Sequence, residues 1–140
     1  KYKSSFWIPL IYVLIVFACD DQFTSGFMKP FFERLRPCHD PAVFDLKVVK
    51  GCGGKYGFAS SHAANTMGLA FSYFLLFGMQ RWTYLLLLWA LLVGYSRVYL
   101  GVHFPGDVLT GFMVGICFAL ILKSVTERIL TKLNLDSPFC

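Results

Sequence analysis

Four long apolar stretches constrain what this chain can fold into. They cover residues 6–19, with an extension through two aspartates to residue 28, and residues 58–79, 82–102 and 105–122. A helix rises 1.5 Å per residue, so about 20 residues cross a hydrocarbon core of about 30 Å. The stretches are apolar on every face rather than alternating, which favours membrane helices over a barrel. The sequence therefore predicts an all-α transmembrane helical bundle with four visible helices.

The composition agrees with a lipid environment. Hydrophobic residues make up 56% of the 140 residues and charged residues 15%, whereas a soluble domain carries about 25% charged residues. The net charge of +5 favours membrane lipids or an anionic substrate as partners, and the lack of a basic run argues against nucleic acid. The length suits one membrane-embedded domain over residues 1–140. Because the first apolar stretch follows almost at once, we expect further helices to precede residue 1.

Four crossings place the polar loop 36–57 and the junction 97–104 on one side of the membrane. The N-terminus, the turn 78–81 and the C-terminal tail then lie on the other side. If three cations of the loop side bind phosphate, fewer Lys and Arg residues remain on that side than lie on the opposite side. The positive-inside rule then predicts that the loop side faces away from the cytoplasm. We expect a multi-pass protein of a bacterial inner membrane, with this side facing the periplasm or exterior.

The cysteines show no C-x-x-C pair and no spacing typical of a zinc site. Cys19 and Cys117 lie in apolar stretches and are expected to pack as small hydrophobic residues. Cys38 and Cys52 flank the polar loop. A disulfide between these two would close a small loop if it faces an oxidising compartment; two free thiols are the alternative.

Two polar groups lie on the loop side, ahead of the second long helix. Lys29 and Arg36 are seven residues apart, which is two helical turns, so we expect both cations on one helix face. The alternative is a pair of cations that reach the membrane surface. Ser60 and Ser61 precede His62 at the start of the helix, where a serine cap, free N–H groups and the helix dipole suit a phosphate. The alternative is a capped helix with an interfacial histidine.

A third polar group joins the third and fourth apolar stretches. Asp107 follows His103 by four residues, so its carboxylate can accept a hydrogen bond from one imidazole nitrogen and leave the other as nucleophile or base. A structural His–Asp pair is the alternative. Arg97 precedes them on the same membrane face. Cations, a helix start and two histidines on one face predict a site for a dianionic oxyanion in phosphoryl transfer.

In this order, K-x6-R-P, a serine-rich S-H motif and S-R-x5-H-x3-D resemble the three signatures of the type 2 phosphatidic acid phosphatase superfamily. That superfamily includes membrane lipid phosphatases as well as soluble vanadium haloperoxidases and acid phosphatases. The first and third motifs match, whereas the usual P-S-G-H appears here as Ala59-Ser60-Ser61-His62. The family core usually has six transmembrane helices, so the resemblance implies two more helices than the four visible here.

The resemblance also implies a mechanism. His103 would attack phosphorus and form a phosphohistidine, Asp107 would orient it, and His62 would protonate the leaving oxygen and then activate water. The phosphate oxygens would be held by cations and serines, namely Lys29, Arg36, Arg97, Ser60 and the Ser61 backbone N–H. No metal or other cofactor is implied, since acidic residues do not cluster as a magnesium or two-metal site requires.

Candidate substrates are phosphatidic acid, phosphatidylglycerol phosphate, polyprenyl diphosphate and a lipid A phosphate, which the motifs do not separate. A catalytically silent member that binds or moves phospholipids is one alternative. A haloperoxidase-like oxidase is another, and the apolar composition argues against it. Asp20 and Asp21 are expected to face the bundle as a polar pair, with a contact to the substrate headgroup or to a cation as the alternative.

Overall fold

Helices dominate residues 7–43 and 51–139, the part of the chain that the computed structural model describes. The elements that build the bundle, in chain order, are α1 (Trp7–Asp21), a π-helical segment (Gln22–Met28), α2 (Lys29–Phe32), α3 (Ser61–Phe77), α4 (Arg81–Tyr99) and α5 (Pro105–Lys132). The first three are continuous and form one rod, Trp7–Phe32, called the first span below. An all-α bundle with four helical rods is thus confirmed for the described residues.

Two of these rods are long and apolar enough to cross a membrane by length and composition. They are the first span, with 26 residues, and α5, with 28. Only 22% of the most apolar window of each is buried inside the bundle, so most of their apolar surface faces outward, unlike the core helix of a soluble protein. The other two rods are shorter: α3 has 17 residues, and α4 has 19 with an arginine near each end.

The helix boundaries differ from the prediction at two points. The first span continues past residue 28 to Phe32. Its π-helical segment ends at Met28, two residues before Pro30, which has no N–H to give to a carbonyl four residues earlier. The last helix runs to Lys132 instead of ending at residue 122. There Lys123 and Glu127, one turn apart, form an ion pair of 3.1 Å that supports the extension.

Small residues bring α3 and α5 into close contact. Gly111 and Gly115 lie one turn apart on α5 and face Ala63 and Ala64 of α3. A Cβ atom on Gly111 would lie 2.5 Å from the carbonyl oxygen of Ser60 and 2.9 Å from the Cβ of Ala63. Small residues four apart are the usual means by which membrane helices approach closely. The contact also joins the starts of the two helices, because the Ser60 N–H donates to the Asp107 carbonyl at 3.0 Å.

We expect Gly111→Ala to destabilise the bundle by about 1–3 kcal/mol, because the added methyl group meets backbone that has no room to move. The midpoint of thermal unfolding in detergent measures this loss. Gly26→Ala is the matched control, since its Cβ would meet only the Gln22 side chain at 3.5 Å, an ordinary contact. Equal midpoints for the two variants would contradict the close packing of α3 on α5.

Candidate active site

A short extended segment carries two arginines to the site. Leu35 forms an antiparallel bridge with Tyr56, flanked by the bonds Arg36 N–H to Lys55 O, 3.2 Å, and Gly57 N–H to Arg34 O, 2.9 Å. Side chains two apart on extended backbone share a face, so Arg34 and Arg36 point the same way.

This geometry corrects the expectation for Lys29 and Arg36. They do not share a helix face, because the first span ends at Phe32 and Glu33 takes a left-handed conformation with φ of 46°. Arg36 reaches the site from the extended segment, and its Nε donates to the Tyr56 carbonyl at 3.2 Å. The expectation of a shared helix face is therefore wrong, and Lys29 and Arg36 approach the same end of the bundle from different backbone segments.

The loop that follows the arginines is closed covalently. The Sγ atoms of Cys38 and Cys52 are bonded in a disulfide, with the two Cα atoms 6.0 Å apart. Cys19 and Cys117 are free thiols in the helices. The disulfide and the Leu35–Tyr56 bridge together hold the two sides of the loop against each other.

The Asp107 carboxylate is fully buried and faces three donors. Its Oδ1 accepts from Arg34 Nη1 at 3.0 Å, its Oδ2 accepts from the Phe104 N–H at 2.8 Å, and Oδ2 also lies 3.5 Å from His103 Nδ1. The last distance is longer than a formed hydrogen bond. Catalytic hydrogen bonds are often long before substrate binds and tighten afterwards.

His103 lies in the connection between α4 and α5 and is only 3% exposed. Burial lowers the pKa of His103 below its usual value, and Asp107 opposes this shift only in part. The imidazole is therefore neutral near pH 7. Because Nδ1 faces the carboxylate, Nε2 is the nitrogen left for chemistry.

Arg34 was missed by the sequence reasoning, although it pairs directly with Asp107. Its guanidinium stacks over the Phe104 ring, 4.6 Å from the centroid, and lies 5.8 Å from that of Phe58. The signal that could have revealed it is the R-L-R spacing, which places Arg34 beside Arg36 on any extended backbone.

Gly57 allows the extended segment that carries Arg34 and Arg36 to lie directly against Asp107. A Cβ atom on Gly57 would lie 3.1 Å from Arg36 Cγ and 3.4 Å from Asp107 Oδ2. The Asp107 charge accordingly acts on the Arg36 guanidinium. Two arginines thus lie beside the carboxylate that faces His103.

Lys29 lies at the end of the first span and contacts the start of α3. Its ammonium donates to Ser61 Oγ at 2.6 Å and to Ser25 Oγ at 3.1 Å. Ser61 Oγ also lies 2.9 Å from Thr24 Oγ1 and 2.8 Å from Ser25 Oγ. Thr24 and Ser25 were not singled out in the sequence, although Ser25 precedes Lys29 by one helical turn.

The start of α3 carries the remaining predicted residues of the first two motifs. Ser60 caps the helix by accepting from the Ala63 N–H at 3.5 Å. His62 is exposed, and the charges of Arg97, Lys29 and Arg36 act on its ring. His62 therefore lies where a bound phosphate would meet these cations.

Arg97 belongs to the last turn of α4. Its Nε donates to Ser96 Oγ at 3.2 Å, and its carbonyl accepts from the N–H groups of Val102 and His103 at 3.2 and 3.3 Å. The backbone of Arg97 thus fixes the turn that presents His103. All predicted site residues meet at one end of the bundle.

Asp20 and Asp21 lie at the end of α1, ahead of Thr24 and Lys29 on the first span. Asp20 is fully buried and faces Gly68 of α3, where a side chain on the glycine would collide with the carboxylate. Asp21 is half-buried and accepts from Asn65 Nδ2 at 3.5 Å. Both aspartates thus contact α3, as expected for a pair that faces the bundle.

The family model described as the PAP2 superfamily matches residues 6–130 of the chain. Among curated relatives, a lipid A 4'-phosphatase of Bacteroides thetaiotaomicron is 34% identical, over 97% of this chain and 64% of the relative. A lipid A 4'-phosphatase of Porphyromonas gingivalis is 42% identical, over 81% of this chain and 49% of the relative. Phosphatidylglycerophosphatase B of Bacillus subtilis is 31% identical, over 90% of this chain and 70% of the relative.

The chain thus spans about half to two thirds of the length of the two lipid A 4'-phosphatases. No solved structure matches the chain at a significant level.

Proposed function

The chain belongs to the PAP2 superfamily, and from that premise we propose that it is an integral membrane phosphatase acting on a phosphorylated lipid. The reaction is hydrolysis of a phosphoric ester or diphosphate bond through a phosphohistidine intermediate, without a metal ion. The curated relatives are named as phosphatases of lipids. The two long apolar rods agree with a substrate that is embedded in a membrane.

One observation carries the proposal: a buried carboxylate, Asp107, faces the Nδ1 atom of a buried histidine, His103, at one end of an apolar bundle. This arrangement selects the tautomer with the proton on Nδ1 and leaves a lone pair on Nε2. Burial keeps the ring neutral and hence nucleophilic. A purely structural pair would not need the surrounding cations, whose charges act on His103 and on the adjacent His62.

In the first step, the Nε2 lone pair of His103 attacks phosphorus, and the bond between phosphorus and the lipid oxygen breaks. His62 gives its proton to that leaving oxygen, and the Asp107 charge offsets the positive charge that forms on His103. In the second step, His62 takes a proton from water, the water oxygen attacks phosphorus, and the N–P bond breaks. Inorganic phosphate leaves, and both histidines return to their starting states.

Cations and helix N–H groups hold the phosphate during both steps. Lys29, Arg36 and Arg97 neutralise the equatorial oxygens, while Ser60 and the Ser61 N–H bind at the start of α3. Such charge neutralisation is the main demand of phosphoryl transfer. Arg34 pairs with Asp107 and acts as a positioning residue, because it holds Oδ1 while Oδ2 faces His103.

A lipid A phosphate is the substrate we favour among the four candidates, because two relatives with high coverage of this chain are named lipid A 4'-phosphatase.

We also place the site on the periplasmic face of a bacterial inner membrane. The disulfide at Cys38 and Cys52 lies on the loop beside the site, and disulfides persist in oxidising compartments such as the periplasm.

Release of inorganic phosphate from a panel of lipid phosphates, measured with the full-length protein in detergent and in the presence of EDTA, tests the proposal. The panel contains the four candidates, and we expect release to continue in EDTA and to be fastest with a lipid A phosphate. Loss of all release in EDTA would contradict the metal-free mechanism. Binding of lipid phosphates without release from any of them would favour the alternative of a silent member that binds or moves phospholipids.

The pKa of His103 gives a prediction that does not depend on turnover. Burial lowers this pKa, so we expect its titration midpoint to lie below about 6.5, the usual value. The chain has three histidines, so NMR titration with single His→Gln variants identifies the signal. The unfolded chain binds this proton more readily, so stability is present above about pH 6.5 and is lost as the pH falls through the folded value. A midpoint above 6.5 would contradict a buried neutral nucleophile.

A further inference from the structure

We infer that the hydroxyl groups of Thr24, Ser25 and Ser61, called the hydroxyl cluster here, position the Lys29 ammonium for phosphate binding. The inference rests on the proposed function and assigns the Ser61 side chain a role in that site. Through its hydroxyl, Ser61 acts as a positioning residue for Lys29, whereas its backbone N–H remains directed to phosphate.

The contacts around Lys29 use up two of its three N–H donors. One goes to Ser61 Oγ at 2.6 Å and one to Ser25 Oγ at 3.1 Å. An ammonium has three donors and no acceptor. Among the described residues, the third has no recorded hydrogen bond, so it is the donor left for a phosphate oxygen.

The protons of the hydroxyl cluster can be assigned without conflict. Thr24 Oγ1 donates to the Asp20 carbonyl at 2.7 Å and to Ser61 Oγ at 2.9 Å, so its single proton is shared between these two acceptors. Ser25 and Ser61 lie 2.8 Å apart, and either hydroxyl can donate to the other. When Ser61 donates to Ser25, Ser61 Oγ accepts from Thr24 and Lys29, and Ser25 Oγ accepts from Ser61 and Lys29.

This arrangement restricts a side chain that is otherwise very mobile. A lysine ammonium is a point charge on a flexible four-carbon stem, and fixing that stem costs conformational entropy. Here Thr24 is fully buried and Ser61 is 7% exposed. The cluster belongs to the first span and to the start of α3, so it ties the lysine to the helix whose first turn also carries the phosphate-binding N–H groups. The lysine side chain therefore loses this conformational entropy before substrate binds, so that substrate binding carries a smaller entropic cost.

The position of Ser61 is also where this chain departs from the P-S-G-H pattern. A glycine there offers the same backbone N–H but no hydroxyl for Lys29. The departure therefore leaves the phosphate-binding backbone intact and adds an acceptor for the lysine. The Ser61 hydroxyl thus links the start of α3 to Lys29 of the first span.

A double-mutant cycle tests the inference through the binding of orthovanadate, used as a phosphate analogue and measured by calorimetry with the full-length protein in detergent. We expect Ser61→Ala to weaken binding by at least about 10-fold, the lower end of the effect of one hydrogen bond to a charged group. In a Lys29→Met background, the same change should have no further effect, because the hydroxyl acts through the lysine. Thr24→Val, a second variant that leaves α3 untouched, should weaken binding in the same lysine-dependent way.

Ser72→Ala is the matched control, since Ser72 is a fully buried serine of the same helix far from Lys29, and its binding should equal that of wild type. Equal weakening by Ser61→Ala with and without Lys29, or no weakening at all, would overturn the inference. Kinetics supply a second criterion. In Ser61→Ala, KM should rise with kcat nearly unchanged, because the Ser61–Lys29 contact supports the bound substrate and the transition state equally. If the wild type binds orthovanadate but releases phosphate from no lipid, the proposed function fails while the cycle still decides the role of the hydroxyl cluster.

Discussion

Replacing His103 with alanine should abolish lipid phosphate release, with a fall in kcat of at least about 10⁴-fold. The reason is that no other group in the described site has its place: His103 is buried, is kept neutral by burial, and has Nδ1 facing Asp107. The measurement is phosphate release over time, with orthovanadate binding as a check that the cation site is still intact.

The comparison with the other two histidines sharpens this test. His39→Ala is the matched control, because His39 is exposed in the loop and its Nε2 lies 3.4 Å from the Gly53 carbonyl; its activity should equal that of wild type. His62→Ala should cost about 10²–10⁴-fold, the usual contribution of general acid–base catalysis. Wild-type rates for His103→Ala would remove it as the nucleophile.

The proposed phosphohistidine would have a direct signature. In the proposed mechanism His62 activates the water of the second step, so His62→Ala should slow hydrolysis of the intermediate and allow label from a phosphate-labelled substrate to remain on the protein. That label should be lost in acid, as expected for an N–P bond, and should be absent in the double variant with His103→Ala. Label that survives in the double variant would place the intermediate on another residue.

Asp107→Asn should lower kcat by about 10³–10⁴-fold and should also destabilise the protein. A carboxylate only accepts hydrogen bonds, and Asp107 faces three donors, from Arg34, Phe104 and His103. An asparagine has one accepting oxygen and one donating nitrogen. In either orientation its NH₂ group meets a donor, so His103 loses its orientation or Arg34 is left without its partner.

Two measurements separate these consequences. Phosphate release reports the orientation of His103, and the midpoint of unfolding in detergent reports the loss of the pair with Arg34. Asp136→Asn, an exposed carboxylate of the C-terminal tail, is the control and should change neither quantity. Arg34→Met should lower stability with a smaller effect on kcat, since Asp107 keeps its place beside His103. Full activity of Asp107→Asn would show that the carboxylate has no part in the chemistry.

The sequence predicts the helices well because hydrophobicity alone determines them in lipid. It also brings Lys29, His62 and His103 to one end of the bundle, since four crossings place their segments on the same side. It does not predict how the arginines arrive, because Glu33 adopts a left-handed conformation that ends the helix and the pairing of Leu35 with Tyr56 depends on residues far apart in the chain.

The same limit explains the residues that were missed. The contact of Arg34 with Asp107 joins positions 73 residues apart, and that of Thr24 with Ser61 joins positions 37 apart. Neither pair shares a helix or a motif, so no local pattern links them. The departure at Ser61 was visible in the sequence, but its meaning depends on the neighbouring first span.

The chain that carries the two arginines is closed at two points, by the Leu35–Tyr56 bridge and by the Cys38–Cys52 disulfide. Arg34 and Arg36 lie at the bridge, whereas the disulfide joins Cys38 to Cys52 and so closes the intervening sequence off covalently. We therefore expect insertions or substitutions between the two cysteines to leave both arginines in place beside Asp107. Under the proposed function, sequence can diverge between the cysteines without moving the groups assigned to phosphate.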